Sequence, residues 1–103
     1  MANPMKIRAR MIGDIVEVKV LMSHPMETGL RKNEAGEAIP AHFIQTVLAT
    51  HAERTVLAAQ WGQAVSANPF LSFMFKGGQK GDVIRISWTD NKGDSRSDET
   101  TIA

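Results

Sequence analysis

Leu21 to Ile44 reads LMSHPMETGLRKNEAGEAIPAHFI and gathers most of the residues that could do chemistry in this chain. Ser23, His24 and Glu27 have the residue types of a hydrolase triad. Nucleophilic catalysis needs the base within about 3 Å of the hydroxyl. Adjacent Ser and His in an extended segment point in divergent directions, and no strand-turn-helix nucleophile elbow is present. His24 with Met22 or Met26 offers imidazole and thioether, the ligand mixture that suits copper. His42 and His51, nine residues apart and read as one strand, would project from opposite faces roughly 30 Å apart. No His-x-His or His-x₃-His pair exists, so three solvated or hydrogen-bonded structural histidines are the simpler reading. There is no cysteine, which excludes disulfides, thiol catalysis and thiolate metal sites. The expectation is a chain with no catalytic residue, no metal and no cofactor; the alternatives are a small copper-binding carrier using His24 and a neighbouring Met, or a generic sandwich interaction module.

Two further stretches carry charge. Lys76-Gly77-Gly78-Gln79-Lys80-Gly81-Asp82 is glycine-rich and basic, but a phosphate loop would run through Gly-Lys-Ser/Thr into a helix, whereas a strand follows here. It reads as a turn. Lys6, Arg8 and Arg10 alternate along an opening strand and read as a solvated or edge-protecting stripe. Ser66-Ala67-Asn68-Pro69-Phe70 reads as a strand-entry corner, the proline biasing Asn68 away from helix.

The elements that must position these residues follow a period of two. In Asp14–Met22, Val16, Val18, Val20 and Met22 share a face opposite Glu17 and Lys19. In Asp82–Thr89, Ile84, Ile86 and Trp88 oppose Arg85, Ser87 and Thr89. Phe70–Phe75 is apolar on both faces, as a strand buried on both sides would be. Met5–Met11 opens the chain, Phe43–Thr50 and Thr55–Trp61 form a hairpin around His51–Arg54, and Ser95–Ile102 follows the turn Asn91-Lys92-Gly93-Asp94. About seven short strands in roughly 100 residues predict an all-β, immunoglobulin-like antiparallel β-sandwich forming one domain over residues 1–103. The connection between Leu21 and Ile44 is long for such a domain, and with no catalytic geometry it reads either as a protein-contact surface or as a plain crossover between the two sheets.

Bulk properties narrow the classes. With 43% apolar and 22% charged residues the chain has an ordinary globular composition. A net charge of +1 gives no electrostatic footprint for nucleic acid or an acidic membrane surface. No apolar run approaches the roughly 18 residues of a membrane helix, and the first residues do not form a secretory signal by themselves.

His24-Pro25-Met26-Glu27-Thr28-Gly29, then Arg31-Lys32, Gly36 and Ile39-Pro40, resemble the signature of the SoxZ family. So do Ala67-Asn68-Pro69-Phe70-Leu71-Ser72-Phe73 and Trp88-Thr89-Asp90 with Gly93. SoxZ is the Z subunit of the SoxYZ carrier of microbial thiosulfate oxidation. The resemblance implies a non-catalytic carrier subunit. It would form a heterodimer with SoxY, which holds the sulfur intermediates on a cysteine near its C-terminus. It would also make transient contacts with the Sox cytochrome, hydrolase and sulfur dehydrogenase, and self-associate when isolated. A periplasmic location is implied, reached by export with a signal-bearing SoxY. His24, Pro25, Met26, Glu27, Thr28, Gly29, Arg31 and Lys32 would contact partners, with Arg31–Glu37 supplying charged contacts. Asn68, Pro69, Phe70, Phe73, Trp88 and Asp90 would be structural.

Overall fold

A computed structural model of the chain describes residues 3–103; Met1 and Ala2, which open the expected domain, lie outside the described residues. Seven strands and no helix are found there: β1 Lys6–Ile12, β2 Ile15–Leu21, β3 Ile44–His51, β4 Arg54–Gln60, β5 Phe70–Lys76, β6 Val83–Asp90 and β7 Ser95–Thr101. No helix is long and apolar enough to cross a membrane. All pairings are antiparallel, in a three-stranded sheet ordered β1-β2-β5 and a four-stranded sheet ordered β4-β3-β6-β7.

The alternation dictates how the sheets meet. Val16, Val18 and Val20 of β2 face Ile84, Ile86 and Trp88 of β6 and Val47 and Ala49 of β3 across a core from which they are almost wholly shielded. Branched aliphatic side chains buried this way each contribute on the order of 1.5–3 kcal/mol, which makes the β2, β3 and β6 inner faces the main stabilising layer.

Local chemistry fixes the turns. The β3–β4 hairpin closes at the His51–Arg54 pair through Ala52 and Glu53, both left-handed at φ 50° and 64°. Two consecutive left-handed residues match the twist of a two-residue hairpin, here without the usual glycine. The glycine-rich stretch after β5 is a turn folded over the end of the core. A Cβ on Gly78 would lie 2.6 Å from Cγ2 of Val16, so only glycine fits there.

One expectation is corrected. Phe70–Phe75 is not buried on both sides: β5 ends its sheet, with Phe70 and Met74 exposed and Leu71, Phe73 and Phe75 half-buried. Its outer face has no layer above it among the described residues. The Lys6–Arg10 stripe is exposed along the edge strand β1, as expected. Ala103 N–H donates to Ala9 O at 2.9 Å and Met11 N–H to Ala103 O at 3.1 Å, which covers one end of that edge.

Candidate functional site

The polar centre of the molecule forms where β3 begins and β6 ends. Asp90 is the last residue of β6, and its carboxylate is wholly shielded from solvent. Oδ1 accepts the backbone N–H groups of Lys92 and Asp94 at 3.0 and 2.9 Å, closing the turn into β7. Oδ2 accepts Nε2–H of His24 at 3.0 Å and of His42 at 2.7 Å. Four donors fill the four acceptor positions of a carboxylate. Burial pushes the Asp90 carboxyl up, but the hydrogen bonds from His24, His42, Asp94 and Lys92 more than offset it and hold the group below the usual carboxylate range.

His24 is buried edge-on against Trp88, ring centres 5.1 Å apart, and against His42 at 4.5 Å. Its other nitrogen, Nδ1, accepts the backbone N–H of Met26 at 3.1 Å. Met26 itself has φ 47°, an uncommon left-handed conformation for a long side chain. The Met26 sulfur in turn accepts Ile44 N–H at 3.4 Å. Asn68, also left-handed at φ 51°, clips the His24 backbone twice: its Oδ1 accepts His24 N–H at 3.1 Å, and its own N–H donates to His24 O at 2.9 Å. Asparagine tolerates this conformation, and the proline that follows then delivers the chain into β5. Asn91 stitches the opposite side, donating from Nδ2 to Ala41 O and accepting Phe43 N–H at Oδ1, both at 2.8 Å.

His24, His42 and Asp90 have the residue types of a metal site, and one ligand atom from each lies within 4.8 Å of the others. In this structure the three facing atoms are hydrogen-bonded to one another. With Met26 N–H directed at Nδ1, the His24 ring proton sits on Nε2, so the nitrogen facing Asp90 is a donor rather than a free ligand. The Met26 sulfur is bonded to the Ile44 amide, and Met22 is buried in the core, so neither expected thioether stands free beside His24. The arrangement holds structure together: it pins β2, the β2–β3 connection, β5 and the β6–β7 turn at one end of the sandwich. A shallow cleft of about 190 Å³ flanks it, lined in part by Ser23, Pro25, Asn68 and Trp88. Trp88 Nε1–H is buried with no partner among the described residues.

From this base the connection projects as a small ribbon. Glu27 and His42 exchange both backbone hydrogen bonds, at 2.7 and 3.0 Å. Further out Lys32 faces Ala38, and Asn33 Oδ1 accepts the N–H groups of Ala35 and Glu37 around Gly36. Arg31 grips Glu27 through three contacts of 2.7–3.2 Å, and these hydrogen bonds hold the Glu27 carboxyl below its usual range. Leu30 is 86% exposed.

The residues expected at a partner surface therefore divide. His24 and Met26 are interior, Glu27, Thr28 and Gly29 are half-buried, and Pro25, Arg31 and Lys32 are exposed. Of the residues expected to be structural, Pro69, Trp88 and Asp90 are buried, Phe73 is half-buried, and Phe70 is 61% exposed. Ser23 Oγ is near Asn3 and Glu27 pairs with Arg31, so no triad forms. His42 was not expected beside His24. It lies outside β3, whereas the sequence reading set it in one straight strand with His51. The available signal was Asp90-Asn91-Lys92-Gly93, an acid at a strand end whose side chain can bond the next turn.

Fold and site together describe an immunoglobulin-like sandwich with a hydrogen-bonded polar cluster at one end and an exposed ribbon beyond it. A family model described as sulphur oxidation protein SoxZ matches residues 5–101. The chain belongs to the SoxZ family, and is thereby a subunit of the Sox sulfur-oxidation system. No curated protein sequence matches it. Among solved structures, a hypothetical protein from Pyrococcus horikoshii is similar with TM-score 0.69 and 17% identity, over 99% of this chain and 89% of that one. A superoxide reductase (neelaredoxin) from Archaeoglobus fulgidus in the reduced form is similar with TM-score 0.64 and 19% identity, over 97% and 86%. At these identities the likeness shows the fold alone.

Proposed function

We propose that the chain is the non-catalytic half of a SoxYZ-type carrier, pairing with SoxY and helping present SoxY's sulfur-bearing cysteine arm to the thiosulfate-oxidising enzymes outside the cytoplasmic membrane. The observation that carries the reading is the family match over residues 5–101. The geometry is in keeping with it. Asp90 and His24 spend their hydrogen-bonding groups internally, and the ribbon from Glu27 to His42 stands out with Leu30, Arg31 and Lys32 exposed. A rigid base under a projecting ribbon suits recognition, because little order has to be gained on docking.

Mixing the purified chain with SoxY, cysteine arm intact, and recording a native mass spectrum tests the reading. A one-to-one complex is expected, and its absence at micromolar concentrations would overturn it. Exchanging the pair as Glu27→Arg with Arg31→Glu keeps the ion pair within the ribbon and reverses both charges presented to a visitor. Slower docking of a client enzyme with unchanged stability is expected.

A further inference from the structure

We infer that the outer face of the β1-β2-β5 sheet is the surface that takes the partner subunit, and that the partner's matching surface is acidic opposite β1 and apolar opposite β5. This rests on the SoxY-pairing reading and names the face it uses.

Register lays the face out as a grid. Its rows are Lys6–Leu21–Phe70, Arg8–Lys19–Ser72, Arg10–Glu17–Met74 and Ile12–Ile15–Lys76. Five of the chain's 12 basic residues lie here, with one of its 11 acidic residues. Glu17 is shared between Arg10 at 3.0 Å and Lys19 at 3.8 Å. Lys6, Arg8 and Lys76 have no carboxylate within salt-bridge distance among the described residues. Arg8 and Lys19 stand directly opposite across the β1–β2 ladder. Like charges in facing positions destabilise a sheet. The isolated fold gains nothing from that juxtaposition, whereas carboxylates laid over it would turn repulsion into attraction. A groove of about 460 Å³ beside Arg8, Arg10 and Lys19, bounded by Thr101 and Ala103, holds three cations against the one carboxylate of Glu17 and so gives further carboxylates a seat.

The other half of the grid is apolar. Leu21, Phe70 and Met74 are 43%, 61% and 63% exposed on one face of adjacent strands, and β5 is the open edge of its sheet. Solvent-facing edges in stable monomers carry charge rather than Phe and Met. An aromatic and flexible apolar centre flanked by cations has the make-up of an interface, with the apolar part supplying affinity and the charges orientation and encounter rate. The outer face of the four-stranded sheet has less of this make-up: its exposed Leu48 and Val83 lie apart, opposite Ser87 and Thr101, and along β6 and β7 it otherwise presents Arg85, Ser87 and Thr89 beside Ser95, Ser97 and Glu99, mostly hydroxyls with charges balanced at Arg85 and Glu99.

Titration calorimetry of SoxY, arm intact, against the chain and three variants tests the assignment at two salt concentrations. Phe70→Asp with Met74→Asp is expected to raise Kd about a hundredfold, as loss of a central apolar anchor does. Arg8→Glu with Lys19→Glu is expected to raise it about tenfold and to flatten the salt dependence, whereas Arg8→Lys binds like the parent. Thermal melts confirm folding, since all four positions point to solvent. Parent binding with both face variants unimpaired would overturn the face while leaving the pairing intact. No binding by the parent would overturn the pairing and this inference with it. A chain that instead self-associates, or binds anionic-lipid vesicles, through the same residues would give the face another occupant and overturn it as well.

Discussion

β3 and β6, the central strands of the four-stranded sheet, are clipped at both ends by a histidine and an aspartate. At one end His42, just before β3, meets Asp90, the last residue of β6; at the other His51, ending β3, meets Asp82, just before β6, at 2.8 Å. The residue types are the same and the surroundings are not. Asp90 is fully enclosed and takes four donors, including His24 from a distant part of the chain. The Asp82 side chain is 39% exposed and takes His51 and the Gln79 amide, while Nδ1 of His51 is buried without a partner among the described residues. A hydrogen bond open to water competes with water; an enclosed one has no substitute if lost. One end is therefore a clip for two strands, and the other is the anchor on which the β2–β3 ribbon stands.

The largest effect expected is at the enclosed end. Asp90→Ala leaves the buried His24 N–H, the partly exposed His42 N–H and two turn amides without their acceptor and should lower unfolding free energy by about 3–5 kcal/mol, read from urea denaturation. Asp90→Asn should recover only part of this. An amide oxygen can keep the Lys92 and Asp94 N–H groups, but its NH₂ then meets Nε2–H of His24. That ring cannot pass its proton to Nδ1, because Met26 N–H already occupies the site. A loss equal to that of an exposed substitution would break the contrast between the ends. Amide exchange at Glu27 and His42 should quicken in both variants, because their paired backbone bonds rest on this anchor.

The sandwich was legible because its signal is local. Val16-Val18-Val20 and Ile84-Ile86-Trp88 alternate within a few residues, and period two alone assigns their inner faces. The anchor was legible only in pieces. His24, Asn68 and Asp90 each fell in a stretch that drew attention, but Asp90 lies 66 positions from His24 and 48 from His42, and spacing cannot show which loop ends meet. His42 was misplaced because β3 was read as one straight segment, whereas the register shifts between Ile44 and Thr46 and His42 lies beyond it in the ribbon. The exposed face of β5 was misread for a related reason. FLSFMF is apolar enough to be buried twice, and only topology makes it an edge.

Acid should separate the ends next. The carboxyls of Asp90 and Asp82 both titrate below the usual carboxylate range: Asp90 because its hydrogen bonds outweigh burial, Asp82 because His51 and the Gln79 amide donate to it. A depressed folded value means that each contribution is fully present above the unfolded value of about 3.9 and is lost as pH falls through the folded value. Solvent screens the Asp82 contribution and not that of Asp90. Urea midpoints followed downward from about pH 6 should fall steeply below about pH 4 in the parent and in Asp82→Asn, and less steeply in Asp90→Asn. Equal slopes in the two variants would remove the distinction.

The smallest effect expected is that of Asp82→Asn at neutral pH, and its reason is that one oxygen takes both donors. Oδ2 accepts Nε2–H of His51 and the Gln79 N–H, so an amide oxygen placed there keeps both bonds, and the new NH₂ replaces Oδ1, which has no bond to lose among the described residues. Nδ1 of His51 is unpaired among the described residues before the substitution and after it, so the hydrogen-bond count at this end is conserved. Asp90 has no such freedom, since each of its two oxygens takes two donors and an amide oxygen can serve only one pair. The urea midpoint of Asp82→Asn should therefore move well under half as far as that of Asp90→Asn, and nitrogen NMR of the imidazoles should show the His51 proton still on Nε2. A His51 proton relocated to Nδ1, or a midpoint shift matching that of Asp90→Asn, would mean that the exposed end depends on its carboxylate as much as the enclosed one does.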